Sequence, residues 1–225
     1  RIKIFNNSKK ISTSNASNVK GAVRIHTVFD LASVKGQVTI EYTIHPSGEI
    51  TVTNKLNKLD KKLPHLPRFG NNFIIKNEYN NIQWFGRGPH ENYNDRNTSA
   101  FVGDYKASVE DLYFPYIRPQ ENGHRSDIRW VNFTDITGKG IRIEGEQLFG
   151  FSAHHQYNDD FDAGETKKQR HTTDIVKRDF VNINIDYMQT GVGGDNSWSA
   201  KALAHKEFRV LPADIEYSYS IIPLK

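Results

Sequence analysis

Val181-Asn182-Ile183-Asn184-Ile185-Asp186-Tyr187 alternates without a break between apolar and polar side chains. A period of two is that of a β-strand, whose successive side chains point to opposite faces. The stretch reads as a half-buried strand, with Val181, Ile183, Ile185 and Tyr187 towards a core and Asn182, Asn184 and Asp186 towards water. The same period recurs on both sides of it. Val23, Ile25, Thr27 and Phe29 share one face, Gly36 interrupts, and Val38, Ile40, Tyr42 and Ile44 form the next run. After the turn Pro46-Ser47-Gly48 come Ile50, Val52 and Asn54, which completes a three-stranded meander.

Shorter strands are expected at Phe73–Ile75, Ile82–Phe85, Ile141–Ile143 and Leu148–Ala153. Another sets Ile128, Trp130 and Asn132 on one face against Arg129, Val131 and Phe133; Trp84 and Trp130, each on a strand, read as core residues. Phe208, Val210 and then Ile215, Tyr217, Tyr219 and Ile221 finish the pattern. Residues 157–170 are polar and suit one short helix or a loop. No stripe of period 3.6 occurs. Many short strands with turns about every 8–12 residues predict an all-β fold, a large antiparallel sandwich, as one domain over residues 21–225. Residues 1–20 turn Ser/Asn/Lys-rich and read as a polar connection with a frayed start.

Directly after the opening strand lies Thr190-Gly191-Val192-Gly193-Gly194-Asp195-Asn196-Ser197-Trp198-Ser199. Three glycines, two serines and an Asp-Asn pair make a tight surface loop. Trp198 on such a loop has two readings. It folds back as a plug for the core, or it offers its indole face to a flat ligand. A sugar ring presents a face of C–H bonds that stacks on indole while its hydroxyls stay hydrogen-bonded.

Composition narrows the classes. With thirteen Phe and ten Tyr the chain is too aromatic for a disordered one. A net charge of +4, with no long basic run, argues against nucleic acid as partner. Cysteine is absent, so no disulfide forms and any metal site would need His and carboxylates. No apolar run approaches the roughly 20 residues of a membrane span, and the start lacks the apolar region of a signal peptide. Membrane association is therefore not expected, and a cytoplasmic or periplasmic setting is left open. The chain begins at Arg1, and its one Met is Met188, so it reads as a piece of something longer.

Four motifs then carry a resemblance. Trp84-Phe85-Gly86-Arg87-Gly88-Pro89-His90-Glu91-Asn92-Tyr93, followed by Asp95-Arg96, resembles the W-x-G-x-G-P-x-E-N-Y-x-D-R signature of the last domain of large bacterial β-galactosidases of glycoside hydrolase family 2. Pro115-Tyr116-Ile117-Arg118-Pro119-Gln120-Glu121-Asn122-Gly123 is similar to that family's P-Y-x-x-P-x-E-N-G, and Gly191–Trp198 to its G-x-G-G-D-x-S-W loop. Pro67-Arg68-Phe69-Gly70 is a weaker fourth match. The resemblance covers roughly residues 22–225. It implies the small-chain, or fifth, domain: an antiparallel β-supersandwich shaped like galactose mutarotases. In the family this domain holds no catalytic carboxylate. It packs on a preceding catalytic (β/α)₈ barrel and lends its Trp loop to the galactoside-binding site. The implied cofactors, Mg and Na, are bound mainly in other domains, with none here. The family's upstream R-A-P-x-D-N-D segment has no counterpart, so the first strands of the sandwich are expected to be truncated. An edge exposed by that omission would favour pairing or oligomerisation.

The resemblance carries over Trp198 as the substrate-contact residue, with Gly193, Gly194, Asp195, Asn196 and Ser197 as its scaffold. Gly193 and Gly194 are expected to supply positive φ. Asp195 and Asn196 either bond sugar hydroxyls or, as preferred, set the turn through their own backbone. Glu91 and Glu121 are polar candidates. A retaining glycosidase needs two carboxyls about 5–5.5 Å apart. The preferred reading is that each instead accepts backbone N–H groups or pairs with Arg96, Arg118 or Arg125 and so shapes its loop. His90 is a third candidate, as a mutarotase-like acid/base. His154 and His155 are adjacent on a strand and point to opposite faces, so they cannot jointly hold one metal ion. The alternatives to a galactosidase domain are a stand-alone carbohydrate-binding module and an aldose 1-epimerase-like enzyme.

Overall fold

Gly48 takes φ 88°, a conformation that glycine adopts without steric cost, and His45 N–H bonds Glu49 O at 2.9 Å to close the hairpin at Pro46-Ser47-Gly48. The hairpin joins β3 (Gly36–Ile44) to β4 (Ile50–Asn57), and β2 (Ala22–Leu31) pairs on the other side of β3. The expected meander is thus present, each strand antiparallel to the next. The computed structural model describes residues 9–19, 21–60, 62–162 and 170–225.

The remaining strands are β1 (Lys9–Val19), β5 (Arg68–Lys76), β6 (Asn81–Gly88), β7 (Phe101–Ser108), β8 (Arg125–Thr134), β9 (Gly140–His154), β10 (Phe180–Gln189) and β11 (Ile215–Leu224). One four-residue helix, α1 (Val109–Leu112), follows β7, with a Ser108/Asp111 capping box at its start. Nine strands pair in the order β1-β2-β3-β4-β11-β9-β8-β6-β7, and β10 lies between β9 and β5. All pairings are antiparallel.

The strand β9 makes this a sandwich. Its first part, Gly140–Gly145, pairs with β11, and its last part, Gly150–His154, pairs with β10. The register against β8 slips twice where the strand changes layer. Bulges of this kind bend a strand and carry it between sheets. The core lies between the layers. Val181, Ile183 and Ile185 face Phe149, Phe151, Val131, Phe133 and Ile143 in one buried cluster. Across the layers Phe69 of β5 meets Tyr217 of β11 edge-on at 5.5 Å. Both Tyr217 and Tyr219 donate to Asn71 Oδ1 at 3.0 Å, so their hydroxyls are satisfied inside the core. A smaller cluster of Leu31, Val34, Leu56, Leu59, Leu66 and Val210 closes one end. The fold is the all-β supersandwich that the alternation and the resemblance implied, and it is not a closed barrel.

Several expectations need correction. Lys9–Val19, read as part of a polar connection, pairs with β2 from Lys9↔Leu31 to Val19↔Ala22. As the outermost strand it needs no apolar alternation, and its described side chains at residues 15–18 are exposed. The frayed start at residues 1–8 lies outside the described residues. The strand β7, another edge, was not foreseen. Phe208 and Val210 form no strand: Lys206–Phe208 is a 3₁₀ turn and Val210 makes one bridge to Leu66. Trp130 is not core. A register shift between Ile128 and Trp130 puts Ile128, Val131 and Phe133 together inside. Trp130 is left half-exposed with the Arg142 guanidinium 4.4 Å above its ring. Of residues 157–170, Asn158–Phe161 form a 3₁₀ turn, and 163–169 lie outside the described residues. No helix among the described residues is long and apolar enough to cross a membrane.

The largest departure concerns β10. Asn182, Asn184 and Asp186 were expected to face water, yet they are as buried as Ile183. Buried amides need partners. Asn72 Nδ2 donates to Asn182 Oδ1 and Asn184 Oδ1 at 2.8 and 3.0 Å, and Asn184 Nδ2 donates to Ser152 Oγ at 3.0 Å. The polar face of this sheet is a second, hydrogen-bonded interior, and the signature loops pack over one end of it.

Candidate functional site

The first signature loop leaves β6 at Gly88 and the second runs from α1 into β8. Each centres on a Glu-Asn pair. Glu91 Oε2 accepts the Gly123 N–H at 2.7 Å, while its Oε1 accepts from Arg96 Nη2 at 2.5 Å and from the Tyr116 hydroxyl. One carboxylate thereby ties the two loops together. Asn92 is fully buried. Its Oδ1 accepts from Ser126 N and Ser126 Oγ at 3.0 and 2.7 Å, and its Nδ2 donates to His90 O. Asn122 does the same for the second loop, accepting from Phe114 N at 3.1 Å and from His154 Nε2 at 3.0 Å. Arg125, also buried, donates to Pro89 O of one loop and Gly123 O of the other, at 3.1 and 2.8 Å. Burial pushes its guanidinium down to about 10, against the pull of Glu91.

Beneath the loops lies an ion pair within the polar interior. Arg68 on β5 donates from Nε to Asp186 Oδ1 of β10 at 3.0 Å and from Nη2 to Asp186 Oδ2, a forked geometry. Its Nη1 reaches Glu121 Oε2 at 3.2 Å. Burial pushes both carboxyls up, and the guanidinium opposes it. The partner of Glu121 is thus Arg68, neither Arg118 nor Arg125. The other oxygen of Glu121 is enclosed, as are the Tyr93 hydroxyl and Gln189 Oε1. Tyr93 stacks on His124 with ring centroids 5.3 Å apart. Burial, with Arg68 and Arg125 near, holds His124 well below the usual imidazole range.

Glu91 therefore has both oxygens engaged in shaping the loops. His90 is exposed, with Ser99 Oγ 3.2 Å from its ring nitrogen. His154 and His155 are both buried and make separate contacts, His154 to Asn122 and His155 to Phe180 O and Glu110. Among the described residues no group of three or more His, Asp or Glu side chains is gathered to hold a metal ion.

The Trp loop stands beside this assembly. Trp198 is 85% exposed. The turn that carries it is built by Asn196, whose Oδ1 accepts from Trp198 N, Ser199 N and Ser199 Oγ at 3.2, 3.0 and 3.0 Å. Asp195 N–H bonds Lys201 O at 2.8 Å, and its carboxylate meets His205 Nε2 at 2.7 Å. The glycines work differently from expectation. Neither Gly193 nor Gly194 takes a left-handed φ. Gly194 is needed for close approach, since a Cβ there would lie 2.2 Å from Lys201 O. Gly191 likewise lets Asp95 come in: its Cβ would lie 2.5 Å from that carboxylate. Asp95 Oδ2 then accepts the Gly193 N–H at 2.8 Å, across 98 residues of sequence.

The structure thus brings Glu91 and Glu121 into one loop assembly and joins the first signature loop to the Trp loop through Asp95. Reading the residues had given no role to Asp95, Asn92, Asn122 or Asp186, and had offered Arg125 only as a partner for Glu91 or Glu121. The one available signal was the Glu-Asn pair repeated in both loops. A cleft of about 870 Å³ opens elsewhere, between the inner faces of β2, β3 and β4 and the free edge of β5. It reaches Arg68 and Asp186, but Trp198 and the two signature loops do not line it.

The chain is also similar to known proteins. A model described as "Beta galactosidase small chain" matches residues 2–222. A β-galactosidase of Priestia megaterium is 35% identical over 162 residues, 72% of this chain and 15% of the relative. One of Pseudoalteromonas haloplanktis is 32% identical over 214 residues, 93% of this chain and 19% of the relative. One of Streptococcus thermophilus is 29% identical over 225 residues, 99% of this chain and 21% of the relative. The chain therefore spans about a fifth or less of the length of these relatives, and it belongs to the β-galactosidase small-chain family.

Proposed function

We propose that this chain is a non-catalytic domain of a β-galactosidase, a retaining glycosidase. It packs on a separate catalytic barrel and supplies Trp198 as an aromatic wall of the galactoside site. The observation that carries this reading is an indole 85% exposed on a loop braced at several points. A mobile loop would have to be ordered on binding, whereas a braced one is pre-organised and saves that entropy. The carboxylates Glu91 and Glu121 are engaged in holding loops, which supports placing the acid/base and nucleophile elsewhere.

One aromatic stacked on a ring ligand is worth roughly 1–3 kcal/mol, by analogy with platforms for other rings. That corresponds to about tenfold to hundredfold in affinity. In the full-length enzyme, Trp198→Ala is expected to raise KM by such a factor and to leave kcat within a few-fold. An unchanged KM would exclude the platform role. Titration calorimetry of the isolated chain with galactose or lactose separates this reading from a stand-alone sugar-binding module, which alone would give measurable heat.

A further inference from the structure

Trp198's loop is fastened at both ends by contacts of its own neighbourhood. At its foot Thr190 N–H bonds Pro67 O at 2.9 Å and Gly191 N–H bonds Phe208 O at 2.8 Å. At its far side Asn196, Lys201 and His205 hold Asp195–Ser199. The bond that reaches the middle of the loop is Gly193 N–H to Asp95 Oδ2. Asp95 is itself fixed from below. It sits in the turn closed by Arg96 N–H to Tyr93 O at 2.9 Å, and Tyr93 is buried against His124. Asn94 beside it donates to Phe208 O at 3.3 Å. The second oxygen of Asp95 is enclosed and accepts no hydrogen bond. The Gly193 N–H is thus what engages this carboxylate, and Gly191 leaves the space it enters.

We infer that Asp95 is the positioning residue of the Trp198 platform: it ties the buried loop assembly to the middle of the Trp loop and sets where the indole stands. The inference rests on the platform reading of Trp198. It assigns to the first signature loop a role in galactoside affinity without any contact to the sugar.

The test uses the full-length enzyme with Asp95→Ala, Asp95→Asn, Trp198→Ala and the double variant Asp95→Ala/Trp198→Ala. Asn keeps an oxygen acceptor in the same place, whereas Ala removes it. A hydrogen bond to a charged group is worth about tenfold to hundredfold, and the loop transmits part of it. Asp95→Ala is expected to raise KM by up to about tenfold with kcat unchanged, Asp95→Asn to stay within about twofold of wild type, and the double variant to match Trp198→Ala alone. Hydrogen exchange at the Gly193 amide is expected to speed up about tenfold or more in Asp95→Ala but not in Asp95→Asn. If Trp198→Ala raises KM and Asp95→Ala does not, the positioning role is wrong and the platform stands. If Asp95→Ala raises KM equally with and without Trp198, Asp95 acts by another route and the inference fails. If Trp198→Ala leaves KM unchanged, the platform fails and the positioning role with it, even where Gly193 exchange confirms the tether.

Discussion

His154 offers the sharpest test of the loop assembly. Its Nε2 lies 3.0 Å from Asn122 Oδ1, an acceptor, so that nitrogen carries the proton. Its Nδ1 is enclosed and has no partner. Adding a second proton would bury a charged N–H with nothing to receive it, beside Arg125 and Arg68. Burial first, and then those two guanidinium groups, push the imidazole down to about 3. In the unfolded chain it returns to about 6.5. The folded value is depressed, so the unfolded state binds the extra proton first, and the stability is complete above about pH 6.5 and is lost as pH falls below it. At pH 5.0 the loss is RT ln(1 + 10^1.5), about 2 kcal/mol, and it barely depends on how far below 4 the folded value lies. At pH 7.5 it is below about 0.1 kcal/mol. The assay is urea unfolding of wild type and His154→Gln at pH 7.5 and 5.0. The substitution is expected to cost stability at both values. Wild type should nonetheless lose about 2 kcal/mol more than the variant across the interval. Two curves that fall in parallel to within about 0.5 kcal/mol would refute the argument. His124, buried beside the same guanidinium groups, adds a term of the same sign that both proteins share.

Replacing Asp186 with Leu leaves the Arg68 guanidinium buried without its forked partner, and a loss of about 3–5 kcal/mol in chemical denaturation is expected. Asn92→Ala strands the buried Ser126 N–H and hydroxyl, and should cost about 1–3 kcal/mol in the same measurement. Trp198→Ala, by contrast, removes a side chain with little packing of its own and should shift the unfolding free energy by less than about 0.5 kcal/mol.

Strands with a clean alternation were legible. The meander, β10 and β11 are where the period of two and the Gly/Pro turns put them. β1 and β7 were not, because an edge strand has fewer neighbours to satisfy and tolerates sequences such as Lys9–Val19, with hardly an apolar stripe. The alternation in β10 told correctly which side faces the core but not what lies on the other side. Asn182 and Asn184 face a layer of amides rather than water, and only their partners Asn72, Ser152 and Asn158 reveal it. Trp130 was misplaced because one bulge shifts which side chains face inward, and no sequence period shows a bulge. In the candidate site, the turn that carries Trp198 was legible from local chemistry, since Asn196 and Ser199 close it within three residues, but the loop sequence left open whether the indole folds back or stands exposed. The role of Asp95 was not legible, because it depends on two loops meeting across 98 residues.

β9 gives its first half to one sheet and its second half to the other. Peeling away either layer means pulling on the same unbroken backbone, so damage on one side is transmitted to the far side. The two layers are stitched together as well as stacked, and loss of β5 and β10 would take Phe69 and the Ile185 carbonyl from Tyr217 on β11. The molecule's two layers are expected to open together as one cooperative unit.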